Sequence, residues 1–264
     1  MQTRSSSEII TIQYLRGIAA VLVVLHHALD QFPAFGAVFG NFSAGQAGVD
    51  IFFVISGFVM TYTEGVHHYT RGEFLIRRAI RIIPIYWTLT LLTAVLLLLG
   101  QALTRHSQFS IPHLLGSLLF VPMYNPGASS QITPMLKLGW TLNYEVFFYL
   151  AFALFIAWRR PARIAALALV FVTFVLLAPH VPRSDAPLIF WGNAIVFEFL
   201  AGCILADLFL RGAFARLPRP FLVVLGAAGI VLLTTTGFVE FGVHRALSSG
   251  LPAAMIVVAA VGLE

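Results

Sequence analysis

The sequence predicts an all-α fold, a polytopic bundle of membrane helices, and three observations carry that prediction. Mean hydropathy is +0.91. Hydrophobic residues make up 59% of the chain and charged residues 10%, against about 25% charged in a soluble domain. Several apolar runs reach about 20 residues, the length an α-helix needs to cross a bilayer. Most of the remaining charges are arginines that flank these runs. The net charge of +5 therefore reads as a set of topology signals and not as a nucleic-acid surface. Cys203, the one cysteine, lies in an apolar run, so disulfides are expected to play no part. No polar stretch is long enough to fold alone, and residues 1–264 read as a single membrane domain.

Eight spans are predicted, over 9–29, 46–62, 84–103, 140–158, 161–179, 187–210, 219–237 and 246–263. The first is not a signal peptide by composition: Arg16 interrupts its core, His26 and His27 end it, and no small-x-small cleavage site follows. Segment 70–82 reads as a short amphipathic cytoplasmic helix, with Pro84 near the start of the following span. Segment 110–123 is apolar but short, which suits a re-entrant or interfacial piece better than a span. The Pro, Gly and Ser content of 124–138 reads as a loop.

Basic residues decide whether 110–123 crosses. If it does not, one side carries 11 of them: Arg4, Arg71, Arg77, Arg78, Arg81, Arg159, Arg160, Arg163, Arg211, Arg216 and Arg219. The other side then carries 4: Arg105, Lys137, Arg183 and Arg245. If the segment crosses, the count falls to 8 against 7. Cytoplasmic loops carry the excess of Lys and Arg, so the segment is expected not to cross and the N-terminus is expected in the cytoplasm.

Ionisable residues inside spans mark sites, because lipid tolerates them only against protein or water. Arg16 and His27 are eleven residues apart in the first span. That is three turns plus about 20°, which puts both on one helix face ~16 Å apart, while His26 points ~100° away. The predicted topology brings Asp50, near the start of the second span, and Glu145, near the start of the fourth, to about the depth of His27. A carboxylate beside an imidazole fixes its tautomer and raises its basicity, as deprotonating a hydroxyl requires. Asp50 also suits a helix N-terminus on dipole grounds alone, and the mid-span Glu198 fits either a functional or a structural role. His113 reads as a solvated residue of an interfacial stretch. Arg78 and Arg81 share a helix face three residues apart and suit a phosphate-bearing ligand or anionic lipid headgroups. No HExxH or CxxC offers a metal site.

The chain resembles the acyltransferase-3 family of membrane O-acyltransferases. YLRGIAAVLVVLHHA carries its Arg-x10-His motif at Arg16 and His27. AGVDIFFVISGFVM resembles its second-helix signature around Asp50, Ser56 and Gly57. FLIRRAIRIIPIYW matches its Arg-x-x-Arg segment at Arg78 and Arg81, and GWTLNYEVFFYL its Trp-[Ser/Thr]-Leu-x-x-Glu segment ending on Glu145. The wording of that last segment is most similar to members associated with exopolysaccharide production. The resemblance implies a ten-helix domain in the bacterial inner membrane. It implies transfer of acyl groups, acetyl among them, from acyl-CoA to hydroxyls of extracytoplasmic or lipid-linked glycans, with no permanently bound cofactor. Eight predicted spans against ten leave the last two helices expected to be missing.

The combined expectation is an enzyme in which His27 acts as general base or acyl-accepting nucleophile and Asp50 or Glu145 orients it. Arg16 lines the passage and steadies the thioester or its thiolate, and Arg78 and Arg81 hold the phosphates of acyl-CoA. Two other classes use the same residues. A proton-coupled transporter would also bury Arg, His, Asp and Glu, but the sequence shows no internal repeat or paired broken helices. A scaffold subunit of a polysaccharide machine would use the buried charges only for packing.

Overall fold

A computed structural model describes residues 9–31, 45–100, 108–235 and 245–264. All eight apolar runs are helical over most of their described residues. The helices are α1 (Ile10–Gln31), α2 (Ala47–His67), α3 (Arg71–Leu99), α4 (Ile111–Leu118) and α5 (Trp140–Leu154), followed by α6 (Arg160–Leu177), α7 (Ala186–Trp191), α8 (Val196–Leu210), α9 (Arg219–Thr235) and α10 (Leu251–Gly262). Among the described residues four segments are long and apolar enough to cross a membrane: Ile10–Leu29, Ala47–His67, Arg71–Leu99 and Arg160–His180. With these the chain reads as a multi-pass membrane protein. Arg4 and Arg105, counted in the charge bias, lie outside the described residues.

The structure corrects the predicted elements at three places. The amphipathic stretch 70–82 is not a separate helix, because α3 runs unbroken from Arg71 through Pro84 to Leu99. It starts in a capping box, in which the Thr70 hydroxyl accepts from the Glu73 N–H and the Glu73 carboxylate accepts from the Thr70 N–H. The expected span 187–210 is divided, α7 ending at Trp191 and α8 starting at Val196. The expected loop 124–138 contains a small antiparallel hairpin, β1 (Tyr124–Asn125) with β2 (Ala128–Ile132).

Two compact units are present, Met1–His68 with Arg160–Ala168 and Ala194–Glu264, and Tyr69–Arg159 with Leu169–Asn193. In the first, α2 and α8 pack at closest approach through two glycines. A Cβ on Gly57 would meet the Phe199 carbonyl, and one on Gly202 would meet the Val54 carbonyl. Small residues are what let membrane helices approach this closely. Cys203 follows in the same seam and donates its S–H to the Gly57 carbonyl at 3.6 Å. Glu264 caps α1, accepting from the Ile10 N–H at 2.9 Å and from the Thr11 hydroxyl at 2.7 Å, a favourable place for an acid.

In the second unit, α3 and α5 run antiparallel. Phe74 meets Tyr149 and Phe152, and Tyr86 fills the space beside Gly139. The short α4 dips along α3 and the chain comes back. Phe109 and Leu114 pack at the level of Ala94 and Leu97. The carbonyls of Ser117 and Leu118 then accept from Tyr86 (3.1 Å) and Trp87 (2.9 Å), about 13 Å further down α3. Met135 returns to Ala94 and Leu97. The segment thus enters and leaves at the same end of α3. His113 is not solvated: it is buried, with Nε2 2.8 Å from the Thr133 carbonyl.

Candidate active site

Because α1 is unbroken, Arg16 and His27 do share one stripe of it. Both are half-buried, and Arg16 donates to the Gln13 side chain at 3.4 Å. His26 points elsewhere and has a structural partner: its Nε2 lies 3.1 Å from Gln46 Nε2, at the N-cap of α2. The two imidazole rings are 5.3 Å apart. Glycines set how α1 and α2 pair, for a Cβ on Gly45 would meet His26 and one on Gly48 would meet Ala19 and Val23. Continuing that antiparallel register puts Asp50 roughly 10 Å deeper than His27 along α1. This corrects the expectation that the two lie at one depth: α2 starts only at Ala47, already opposite the histidine end of α1.

Asp50 belongs to a cluster of its own. It is fully buried in the first turn of α2, and its Oδ1 accepts from Arg245 Nη2 at 2.5 Å. Glu198, 1% exposed in the first turn of α8, lies with Oε1 3.5 Å from Arg245 Nε. The two carboxyl groups are close enough to act on each other. Asp50 Oδ2 and both Glu198 oxygens have no partner in hydrogen-bond geometry among the described residues. Arg245 itself is 1% exposed and precedes a turn of π-helix, Ala246–Gly250, that leads into α10. A Cβ on Gly250 would press on Glu198 Cγ at 3.1 Å. A second buried pair, Glu64 with Arg163, closes the other end of α2.

Glu145 also differs from expectation. Its Oε2 accepts from the Tyr149 hydroxyl at 3.0 Å, and the charges of Arg81 and Arg78 act on it. It therefore sits with the arginine pair, not half a bilayer from it. The cause is local: α3 carries both arginines inside one continuous helix, and the antiparallel α5 spans only 15 residues, about 22 Å. Arg78 is held between two rings, its Cζ 5.6 Å from the Phe74 centroid and 5.8 Å from that of Tyr149. Cation–π contact on two sides fixes the plane of the guanidinium. Its Nε is buried and lacks a hydrogen-bond partner among the described residues. Arg81 is exposed. This arrangement can take a phosphate through Arg78 and Arg81 with Glu145 as the balancing charge.

Sequence reasoning missed the roles of Arg245 and Arg163, which it counted as loop charges, and left Glu198 undecided. Only long-range pairing reveals them, since Asp50 and Arg245 are 195 residues apart. Among the described residues no group of three or more His, Cys, Asp or Glu could hold a metal ion.

Residues 9–263 match the family described as "Acyltransferase domain". The chain is 34% identical over 228 residues to "Exopolysaccharide production protein ExoZ" of Rhizobium meliloti (strain 1021). That match covers 85% of this chain and 69% of the relative. No solved structure matches.

Proposed function

From the premise that the chain belongs to the acyltransferase-3 family and is an acyltransferase, we propose that it moves an acyl group, acetyl in the simplest case, from acyl-CoA on the cytoplasmic side to a hydroxyl of an extracytoplasmic or lipid-linked glycan. The similarity to an exopolysaccharide production protein supports an exopolysaccharide as acceptor, and the bias of basic residues supports a cytoplasmic N-terminus, in the inner membrane of a bacterium. The observation that carries the proposal is the unbroken α1, which keeps Arg16 and His27 on one stripe.

His27 takes the proton from the sugar hydroxyl as its oxygen attacks the thioester carbonyl. Arg16 stabilises the charge that develops on the thioester. The carbon–sulfur bond breaks, the CoA thiolate leaves, and it recovers the proton. Arg78 and Arg81 hold the donor's phosphates. Glu145 sets the arginine pair through its charge and through Tyr149, and Asp50 acts at a distance from His27 through its own cluster.

Full-length protein in vesicles, given acetyl-CoA labelled in the acetyl group, tests this. Label on polysaccharide is the expected result. Substrate flux without labelled polysaccharide would favour a proton-coupled transporter and overturn the proposal. Label recovered on His27 after an acid quench would identify the acyl-histidine route.

A further inference from the structure

Two carboxyl groups and one guanidinium meet where Asp50, Glu198 and Arg245 converge, and all three are at most 1% exposed. Among the described residues, the charged groups that act on Asp50 are Arg245 and Glu198, and those that act on Glu198 are Asp50 and Arg245. Two ionised acids against one arginine would leave a net negative charge in a dry interior, which is among the costliest arrangements a protein can hold. One proton removes that charge. Such a proton fits between the Asp50 and Glu198 carboxyls, which act on each other directly and whose Asp50 Oδ2 and Glu198 oxygens meet no donor in good geometry among the described residues.

Position gives the cluster its second property. Asp50 lies four residues after Gln46, so the two share a face of α2. Gln46 contacts His26 at 3.1 Å, and His27 is the next residue. Glu198 and Arg245 anchor the same turn of α2 to the start of α8 and to the approach to α10. We infer that Asp50, Glu198 and Arg245 form one positioning unit, holding one proton among them, which sets the first turn of α2 and through Gln46 the orientation of the histidine end of α1. They are positioning residues, about two helical turns deeper than His27. The activity arm of the test below rests on the acyl-transfer reading, and the chemical arm does not.

The chemical arm is the rate at which diethyl pyrocarbonate modifies His26 and His27 in the full chain in detergent, resolved by peptide mass spectrometry. Arg245→Met leaves two acids without their partner and should raise that rate about tenfold by loosening the α2 turn. The pair Asp50→Asn with Glu198→Gln leaves a buried cation uncompensated and should do the same. Glu198→Gln alone keeps the charge balance and should change the rate by less than about twofold. The triple variant D50N/E198Q/R245M puts two amides and a thioether in place of the three ionisable groups. It is neutral and should return to within about twofold of wild type. If Arg245→Met does not fold, Glu198→Gln and the triple variant still decide.

A wild-type rate in Arg245→Met, a tenfold rise in Glu198→Gln alone, or no restoration in the triple variant would each overturn the inference. In the activity arm, kcat should fall about a hundredfold in Arg245→Met while KM for acyl-CoA stays within about twofold, and the triple variant should recover kcat. Loss of kcat in the triple variant with unaltered histidine reactivity would make the charges direct participants and overturn the positioning role. If the wild type transfers no label, the acyl-transfer reading fails and the histidine rates alone decide the positioning.

Discussion

His26 and His27 are neighbours in sequence with different surroundings. His27 shares the stripe of Arg16, while His26 is turned to Gln46. His27→Ala should abolish acyl transfer and leave membrane insertion intact. His26→Ala should be milder, lowering transfer only in part, because it removes the Gln46 contact that steadies this end of α1 and leaves His27 in place. Transfer assays on membranes with matched protein levels check this, and an active His27→Ala beside an inactive His26→Ala would reverse the assignment. A comparable asymmetry holds for the arginines. Arg78 is fixed between Phe74 and Tyr149, whereas Arg81 is exposed. Replacing either with Ala should raise KM for acyl-CoA before KM for the acceptor, and Arg78→Ala should do so more strongly. Arg78→Lys should rescue only in part, because a point charge loses the fork that matches phosphate. An unchanged donor KM with a raised acceptor KM would assign the pair to glycan or lipid instead. Of the residues proposed for the site, the pairing of Arg16 with His27 and of Arg78 with Arg81 is legible in sequence, because one helix carries each pair at a readable spacing. Asp50 and Glu145 were legible as candidates but not by partner, since their partners come from other helices.

At the scale of elements, apolar runs reveal where helices are and less well where they stop. Pro84 suggests a boundary, yet α3 continues through it, since the helix on its N-terminal side is already formed by the capping box at Thr70 and the seam with α5. The interruption between α7 and α8 passes unnoticed in a hydropathy reading, because Gly192 and Asn193 are flanked by apolar residues. The seam of α2 with α8 is read only from Gly57 and Gly202 in three dimensions. Gly57→Val must push α8 away from α2. We expect a loss of about 1–3 kcal/mol or more in stability, seen as a lower melting temperature in detergent. An unshifted melting curve would mean that the two helices do not depend on this contact.

At the scale of the whole molecule, the charge bias and the packing address different halves of one question. Packing shows which ends share a side within the second unit. Arg71 donates to the Leu154 carbonyl at 3.0 Å, so the start of α3 and the end of α5 lie together. Met135 sits near Leu97, so the approach to α5 lies with the other end of α3. The bias of 11 basic residues against 4 is the basis for proposing which of these ends faces the cytoplasm, although Arg163 and Arg245 count there as loop charges and are buried in ion pairs. The remaining residues keep the same sign of bias. A single labelling experiment joins the halves. Cys203 is buried, so Cys203→Ala gives a silent background. Lys137→Cys and Arg159→Cys are both at exposed positions, and Arg159 avoids the ion pair that Arg160 makes with Asp207. An impermeant thiol reagent added from the periplasmic side should label position 137 and spare position 159. Labelling of 159 from that side would invert the molecule. It would carry Arg71, Arg78 and Arg81 toward the periplasm, where no acyl-CoA is available, and the donor role of the arginine pair would fall with it, whatever the histidines do.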